Sequence, residues 1–261
     1  MRVKEIANEK HPFIYEDELA TKARAVIRDF SLRILPVIDN NRKLLGVVSR
    51  SSVMAISSSI SPIRVKGIMT DPKYIAAIED EAFLTVKEML RRNDSYVPIV
   101  NSQQEKLYKG VLGLDNFIEA IVKTSPEKLA KPVEEVMSKD VATCTCDDDV
   151  DNLWRLMQNE SITGCPVLKK DKMVGIVTEK DLLESGETKP AFESKKGRFR
   201  AHLNIASVMK TQVVAVEPDI KVIRAAKIMT SKDIGRVPVV DKEGRLVGVV
   251  SREDVARLIV K

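Results

Sequence analysis

Histidine and cysteine are scarce in this chain, with two histidines and three cysteines among 261 residues. Nucleophilic and zinc chemistry draws heavily on those residue types. His11 and His202 lie far apart, and neither has a Ser, Cys or carboxylate at a recognisable catalytic spacing. No Gly-rich phosphate loop of the P-loop or Rossmann kind is present. An enzyme is therefore not expected. The odd cysteine count is too low for a disulfide framework. Cys144 and Cys146 point to one face of a strand by their alternation, and with Cys165 they read as packed, reduced residues that behave as small hydrophobes.

Aromatic residues make up only 4% of the chain, so few rings are available for stacking or for a large apolar site. No run approaches the roughly 18 apolar residues of a membrane span. No charged-then-apolar leader opens Met1-Arg2-Val3-Lys4-Glu5, so a soluble, cytoplasmic protein is expected. Charge is abundant instead: 31% of residues, a net +5 and a pI near 9.0. Scarce glutamine beside abundant Lys and Glu points toward a thermophile.

One phrase is written four times. Pro36, Pro98, Pro166 and Pro238 follow one another at intervals of 62, 68 and 72 residues, each trailed by a glycine that opens an apolar triplet: Gly46-Val47-Val48, Gly110-Val111-Leu112, Gly175-Ile176-Val177 and Gly248-Val249-Val250. Such a period signals a repeat architecture. In the last copy Val237 to Val240 and Leu246 to Val250 flank the turn Asp241-Lys242-Glu243-Gly244, which predicts a hairpin. Ser251, with an acid three residues on and Val255, Leu258 and Ile259 after it, predicts a helix start. Upstream, Val213 to Val216 is read as a strand, and Val222, Ala225, Ala226 and Met229 keep helical spacing. In the first copy Leu19, Ala23, Val26, Ile27 and Phe30 form the corresponding stripe, and in the third Val150, Leu153, Trp154 and Met157, with Trp154 read as core or, alternatively, as a contact between modules. Each repeat is thus strand, helix, strand, strand, helix. One small sheet cannot cover both its faces, so the repeats should pair.

The pairs Val136-Met137 and Val208-Met209, the X-Pro-Val strands and the Gly-apolar-apolar-Ser/Thr-x-x-Asp ending together resemble the CBS domains, named after cystathionine β-synthase. The resemblance covers nearly the whole chain. It implies an α+β fold of four β-α-β-β-α repeats, at 1–60, 61–125, 126–190 and 191–261. Repeats 1+2 and 3+4 would each form a module, and the two modules a disc, as in the gamma subunit of the AMP-activated kinase. It also implies adenosyl ligands. Lys123 to Pro132 reads as the joint between modules.

The endings are unequal. Thr178 with Asp181, and Ser251 with Asp254, keep the hydroxyl and the acid; repeat 1 reads Ser49 and Ser52, repeat 2 Gly113 and Asn116. A helix N-terminus with a hydroxyl favours a phosphate. The resemblance assigns Asp181 and Asp254 to a ribose, and the purine to the backbone near Val141 and Val213 and to the strands of Pro166 and Pro238. Arg236, two residues before its strand proline, is a candidate for a phosphate or for a solvated or paired role. Ser/Thr-x-x-Asp is equally an ordinary capping box with no ligand.

Two functions follow. The first is a non-enzymatic regulator that binds AMP, ADP or ATP in its second module and signals to an unidentified protein partner, as a monomer closing its own disc or as a homodimer. The second is an RNA- or ribosome-binding protein, suggested by the net charge and by Lys195, Lys196, Arg198, Phe199, Arg200 and His202, a stretch with no acid in which arginines can fork onto phosphates while a ring stacks on a base. The same stretch also reads as a solvated linker, or as a loop that folds back to place Arg198, Arg200 or His202 over the nucleotide phosphates.

Overall fold

The computed structural model describes residues 1–54, 62–185 and 203–261. Repeat 1 comprises β1 (Ile14–Tyr15), α1 (Ala20–Asp29), β2 (Ile34–Ile38), β3 (Leu44–Ser49) and α2 (Arg50–Met54). Repeat 2 comprises β4 (Ala76–Ala77), α3 (Ala82–Arg91), β5 (Tyr96–Val100), β6 (Tyr108–Gly113) and α4 (Leu114–Thr124). Repeat 3 comprises β7 (Cys144–Thr145), α5 (Val150–Asn159), β8 (Gly164–Lys169), β9 (Lys172–Thr178) and α6 (Glu179–Ser185). Repeat 4 comprises α7 (Val222–Ser231), β10 (Arg236–Val240), β11 (Leu246–Ser251) and α8 (Arg252–Val260). The class is α+β: in repeats 1 to 3 a short strand lies parallel to the first strand of an antiparallel hairpin.

Repeat 4 departs from the expected strand at Val213 to Val216, which is reduced to one parallel bridge between Val216 and Val239. In repeats 1 and 2 the next rung is an N–H from Glu16 to Ile38 O or from Ile78 to Val100 O. The matching residue in repeat 4 is Pro218, which has no N–H to donate. Two members of the expected α1 stripe also fall outside it. Leu19 and Phe30 flank the helix and are exposed, whereas Ala20, Ala23 and Ile27 are buried.

The segment that leads each repeat packs into a neighbour's core. Val3 donates to Asp80 O and sits in the core of repeats 2 and 4; Val133 donates to Ile220 O and joins the same core. Val65 and Ile205 reciprocate by entering the core of repeats 1 and 3. This exchange explains the glycine in every copy of the phrase. A Cβ on Gly110 would fall 2.5 Å from Asn8 O, and one on Gly248 would fall 2.9 Å from Ser138 O. Gly46 and Gly175 likewise face Thr70 O at 3.0 Å and Lys210 O at 3.1 Å. Backbone bridges run through these points, Asn8–Val111 and Val47–Thr70 between repeats 1 and 2, Ser138–Val249 and Ile176–Lys210 between repeats 3 and 4.

Helices join the repeats the other way. α2 and α1 meet α6, while α4 meets α7 and α8, and α3 meets α8. Sheets thus link 1 to 2 and 3 to 4, and helices link 1 to 3 and 2 to 4, closing a ring of four. The joint between modules contributes Leu129, fully buried in the core of repeats 2 and 4. Trp154 is half-buried and packs against the core of repeats 1 and 3, which includes Val150, Leu153 and Met157. Burial of these apolar faces, at about 25 cal/mol per Å², holds the ring together.

Candidate functional site

The two expected Ser/Thr–Asp pairs form with nearly superposable geometry. Asp254 Oδ2 accepts from Ser251 N at 2.9 Å and from Ser251 Oγ at 2.7 Å, while Asp254 N donates to Ser251 Oγ at 3.2 Å. Asp181 Oδ2 accepts from Thr178 N at 2.9 Å and from Thr178 Oγ1 at 2.6 Å, and Asp181 N donates back at 3.3 Å. Both are reciprocal capping boxes. Each uses one carboxylate oxygen and leaves Oδ1 outside the cap. Asp254 Oδ1 has Arg257 at 3.9 Å, on its own helix. Asp181 Oδ1 has Lys210 Nζ at 2.7 Å, reaching over from repeat 4. Burial raises the pKa of Asp254, opposed by its hydrogen bonds from Ser251.

The other two endings differ as their sequences do. In repeat 2 Asn116 Oδ1 accepts from Gly113 N at 2.9 Å, which preserves the cap without a charge. A Cβ on Gly113 would lie 2.0 Å from Asp115 Oδ1 and 2.5 Å from the Tyr96 ring. The space of the lost hydroxyl is therefore filled by a carboxylate and an aromatic ring. In repeat 1 Ser49 Oγ lies 2.7 Å from Ser51 Oγ and 2.9 Å from Ser52 Oγ, a ring of hydroxyls with no acid.

The modules also differ at the far ends of their hairpins. In the first, Ile38, Leu44, Val100 and Tyr108 are all buried and pack with Phe13, Ile75 and Tyr96. Their register counterparts in the second are Leu168, Met173, Val240 and Leu246, all half-buried. Phe13 stacks edge-on with Tyr108, and Tyr108 donates to His11 O at 3.1 Å. His11 stands where repeats 3 and 4 have Val141 and Val213, and it bonds Ile34 O at 3.0 Å through Nε2. Burial pushes its pKa down.

Arg236 lies between the two intact caps. Its guanidinium donates to Gly164 O at 3.1 Å and to Thr163 Oγ1 at 3.0 Å, and Gly164 is paired with Thr178 across the hairpin. Burial lowers its pKa, and Glu253, Glu179 and Asp254 oppose that shift. Val141 and Val213 are half-buried, whereas Pro166 and Pro238 are buried mid-strand. The stretch Lys195, Lys196, Arg198, Phe199, Arg200 and His202 lies outside the described residues. Of the cysteines, Cys144 and Cys165 are buried and Cys146 is half-buried, all three as free thiols. Among the described residues, no three His, Cys, Asp or Glu side chains converge as metal ligands, and no helix is long and apolar enough to cross a membrane.

The sequence pattern did not flag the residues directly after each cap. Arg50 is buried, donates to Leu32 O at 2.7 Å and Ser31 O at 2.5 Å, and has its pKa pushed down to about 10 by burial. Burial also raises the pKa of Glu179, which the charges of Arg50, Arg33 and Arg236 counter. Arg252 is buried and bonds Asp233 Oδ1 at 2.9 Å. Aligning the four endings would have found them, since this position holds Arg50, Leu114, Glu179 and Arg252 where a core position would hold only apolar residues.

Comparison with known proteins agrees with this fold. The CBS domain profile matches residues 3–59, 133–187 and 205–261. The chain belongs to the CBS domain family. Its second repeat, outside the matched ranges, has the same order of elements as repeats 1 and 3. The CBS chain is 24% identical over 98% of its length to the uncharacterised protein MJ1225 of Methanocaldococcus jannaschii, covering 98% of that protein. The crystal structure of MJ1225, a proposed archaeal homolog of g-AMPK, matches with a TM-score of 0.85 over 98% of this chain and 99% of the other, at 23% identity. An uncharacterised protein from Pyrococcus horikoshii matches with a TM-score of 0.69 over 99% of this chain and 100% of the other, at 21% identity.

Proposed function

We propose that this CBS protein is a non-enzymatic regulator that binds adenine nucleotides in the module of repeats 3 and 4, one at Asp181 and one at Asp254. The observation that carries the reading is the division of labour within each carboxylate. Oδ2 is consumed by the cap, while Oδ1 faces only a distant Arg257 at Asp254 and the exposed Lys210 at Asp181, among the described residues. A plain capping carboxylate keeps its second oxygen in water, whereas these two side chains are only 4% and 12% exposed. A ribose diol supplies hydroxyl donors for Oδ1, and the positive end of the α8 dipole with Arg236 supplies positive charge for a phosphate. The half-buried hairpin ends of this module leave room for a purine where the first module is packed with Phe13 and Tyr108. The fold-level likeness to MJ1225 is in keeping with this role.

A signal requires that ligand favour one of two states of the ring. Arg252 and Glu253 follow the Ser251 cap and bond Tyr96 and Ser95 of the first module, so occupancy beside Ser251 has a direct route to repeat 2 and from there to a protein partner. The test is a thermal-shift panel of AMP, ADP, ATP and S-adenosylmethionine on the whole chain. A ligand bound at 100 times its Kd stabilises the folded state by about 2.7 kcal/mol. A panel in which no adenosyl compound raises the melting temperature contradicts the reading.

A further inference from the structure

The residue after each repeat's leading Val-Met or its equivalent is Asn8, Thr70, Ser138 or Lys210. Each occupies the same place, bridged to the residue after the glycine of the partnering repeat: Asn8 to Val111, Thr70 to Val47, Ser138 to Val249 and Lys210 to Ile176. Only Lys210 carries a charge. Its backbone is pinned on both sides, since Ile176 N and Lys210 N each donate to the other's carbonyl at 2.9 Å. Gly175 allows the approach, because a Cβ there would fall 2.9 Å from Met209 Sδ. From this fixed point the side chain extends over the end of repeat 3.

There its ammonium meets Asp181 Oδ1 at 2.7 Å, with Glu184 Oε2 further off at 3.9 Å. The Asp181 side chain is only 4% exposed, and among the described residues Oδ1 receives no other hydrogen bond. Lys210 is 57% exposed, so its ammonium also faces water. At the other intact cap the matching residue is Ser138, and among the described residues Asp254 Oδ1 has only Arg257, at 3.9 Å. The two carboxylates of the second module therefore differ in one neighbour.

A hydroxyl group is both a donor and an acceptor. Placed between an acceptor-only carboxylate and a donor-only ammonium, it satisfies both, whereas a ligand lacking that hydroxyl parts the pair and leaves each unmatched. Sites built to hydrogen-bond a hydroxyl reject the analogue without it far more strongly than apolar sites reject an extra group. We infer that Lys210 is a specificity-determining residue of the Asp181 site, where it and Asp181 together read a sugar hydroxyl and so select ribonucleosides over 2′-deoxyribonucleosides. The inference rests on nucleotide binding at Asp181 as proposed above, and assigns the ligand class by its sugar.

The test is calorimetry on the whole chain with AMP, adenosine and 2′-deoxy-AMP as probes. An Asp254→Asn background keeps the cap of α8 and silences the second site. With Lys210 present, AMP and adenosine bind and 2′-deoxy-AMP binds at least about tenfold more weakly, the equivalent of one good hydrogen bond. Lys210→Met weakens AMP and adenosine alike by about tenfold and brings the AMP to 2′-deoxy-AMP ratio toward one, while Lys210→Arg restores most of it. If Lys210→Met weakens AMP but leaves adenosine unchanged, the lysine reads a phosphate and the inference is overturned. Unchanged or tighter binding overturns it as well, the latter making Lys210 a cover over Asp181. Binding of AMP to neither this background nor the wild-type chain overturns the nucleotide reading itself, and the inference with it.

Discussion

Arg252, the first residue of α8 after the Ser251 cap, donates to the hydroxyl of Tyr96 at the start of β5. The bond joins repeat 4 to repeat 2, and Ser95 repeats the connection by donating to Glu253. Arg252 is only 3% exposed and also bonds Asp233 Oδ1 and Met229 O. Charged hydrogen bonds of this kind contribute about 1.5–3 kcal/mol each when one partner is removed. Arg252→Met should therefore destabilise the chain by about 2 kcal/mol or more, and Tyr96→Phe by about 1 kcal/mol. A double-mutant cycle in urea should return a coupling of at least about 0.5 kcal/mol; strictly additive losses would mean that the two side chains act separately.

The glycines of the repeated phrase should tolerate alanine unequally. Gly110 has a φ of +155° and backbone atoms of Asn8 and Glu9 within 3 Å of a new Cβ, whereas the nearest atom to one at Gly46 is Thr70 O at 3.0 Å. Overpacking typically costs about 1–3 kcal/mol. Gly110→Ala is expected at or above the top of that range and Gly46→Ala near its bottom, as read from unfolding midpoints. The reverse order would contradict the exchange of leading segments as the reason for the glycine.

Asp254 ties pH to stability in a stated direction. Its pKa in the fold is raised above 3.8 by burial, so the folded protein holds this proton at a higher pH than the unfolded chain. Its contribution is then complete below the unfolded value and is lost as pH rises through the raised one. Asp254→Asn removes the titration and keeps an acceptor for Ser251 N. The stability difference between wild type and variant should therefore shrink or reverse in favour of the variant as pH rises from 4 to 7. A wild type that gains on the variant over that range would contradict the direction of the shift.

His11 behaves in the opposite sense. Burial lowers its pKa below 6.5, so the unfolded chain takes up the proton first. Its contribution is complete above 6.5 and is lost as pH falls through the lowered folded value. His11→Val, the residue found at this place in repeats 3 and 4, should flatten the loss of stability on mild acidification. An unchanged acid limb in thermal melts at pH 5 to 7 would remove His11 from that role.

Much of the fold was legible because the signal was repeated. The hairpins, the cap at Ser251 and the stripe of Val222, Ala225, Ala226 and Met229 follow from β-branched runs, turn glycines and helical spacing. The shortened first strand of repeat 4 was also legible in principle, since Pro218 withholds the N–H that Glu16 and Ile78 donate. The exchange of leading segments was not, because Val3 and Val133 look apolar whichever core they enter. At the site, the unequal endings could be read directly, but the use of Asp oxygens could not. Which oxygen of Asp181 caps and which meets Lys210 depends on a residue 29 positions downstream that only the pairing of repeats 3 and 4 brings near.

The most direct measurement is equilibrium titration of the whole chain with AMP, comparing wild type, Asn116→Ala, and the double variant Asp181→Asn/Asp254→Asn. Both aspartates keep a capping acceptor in the double variant, so its stability at pH 7 should stay close to wild type. The account predicts saturable binding to the wild type, the same affinity and stoichiometry for Asn116→Ala, and a loss of about tenfold or more in the double variant, the equivalent of about 1.4 kcal/mol for the lost charge-assisted bonds. Wild-type affinity in the double variant, or loss on replacing Asn116, would contradict it.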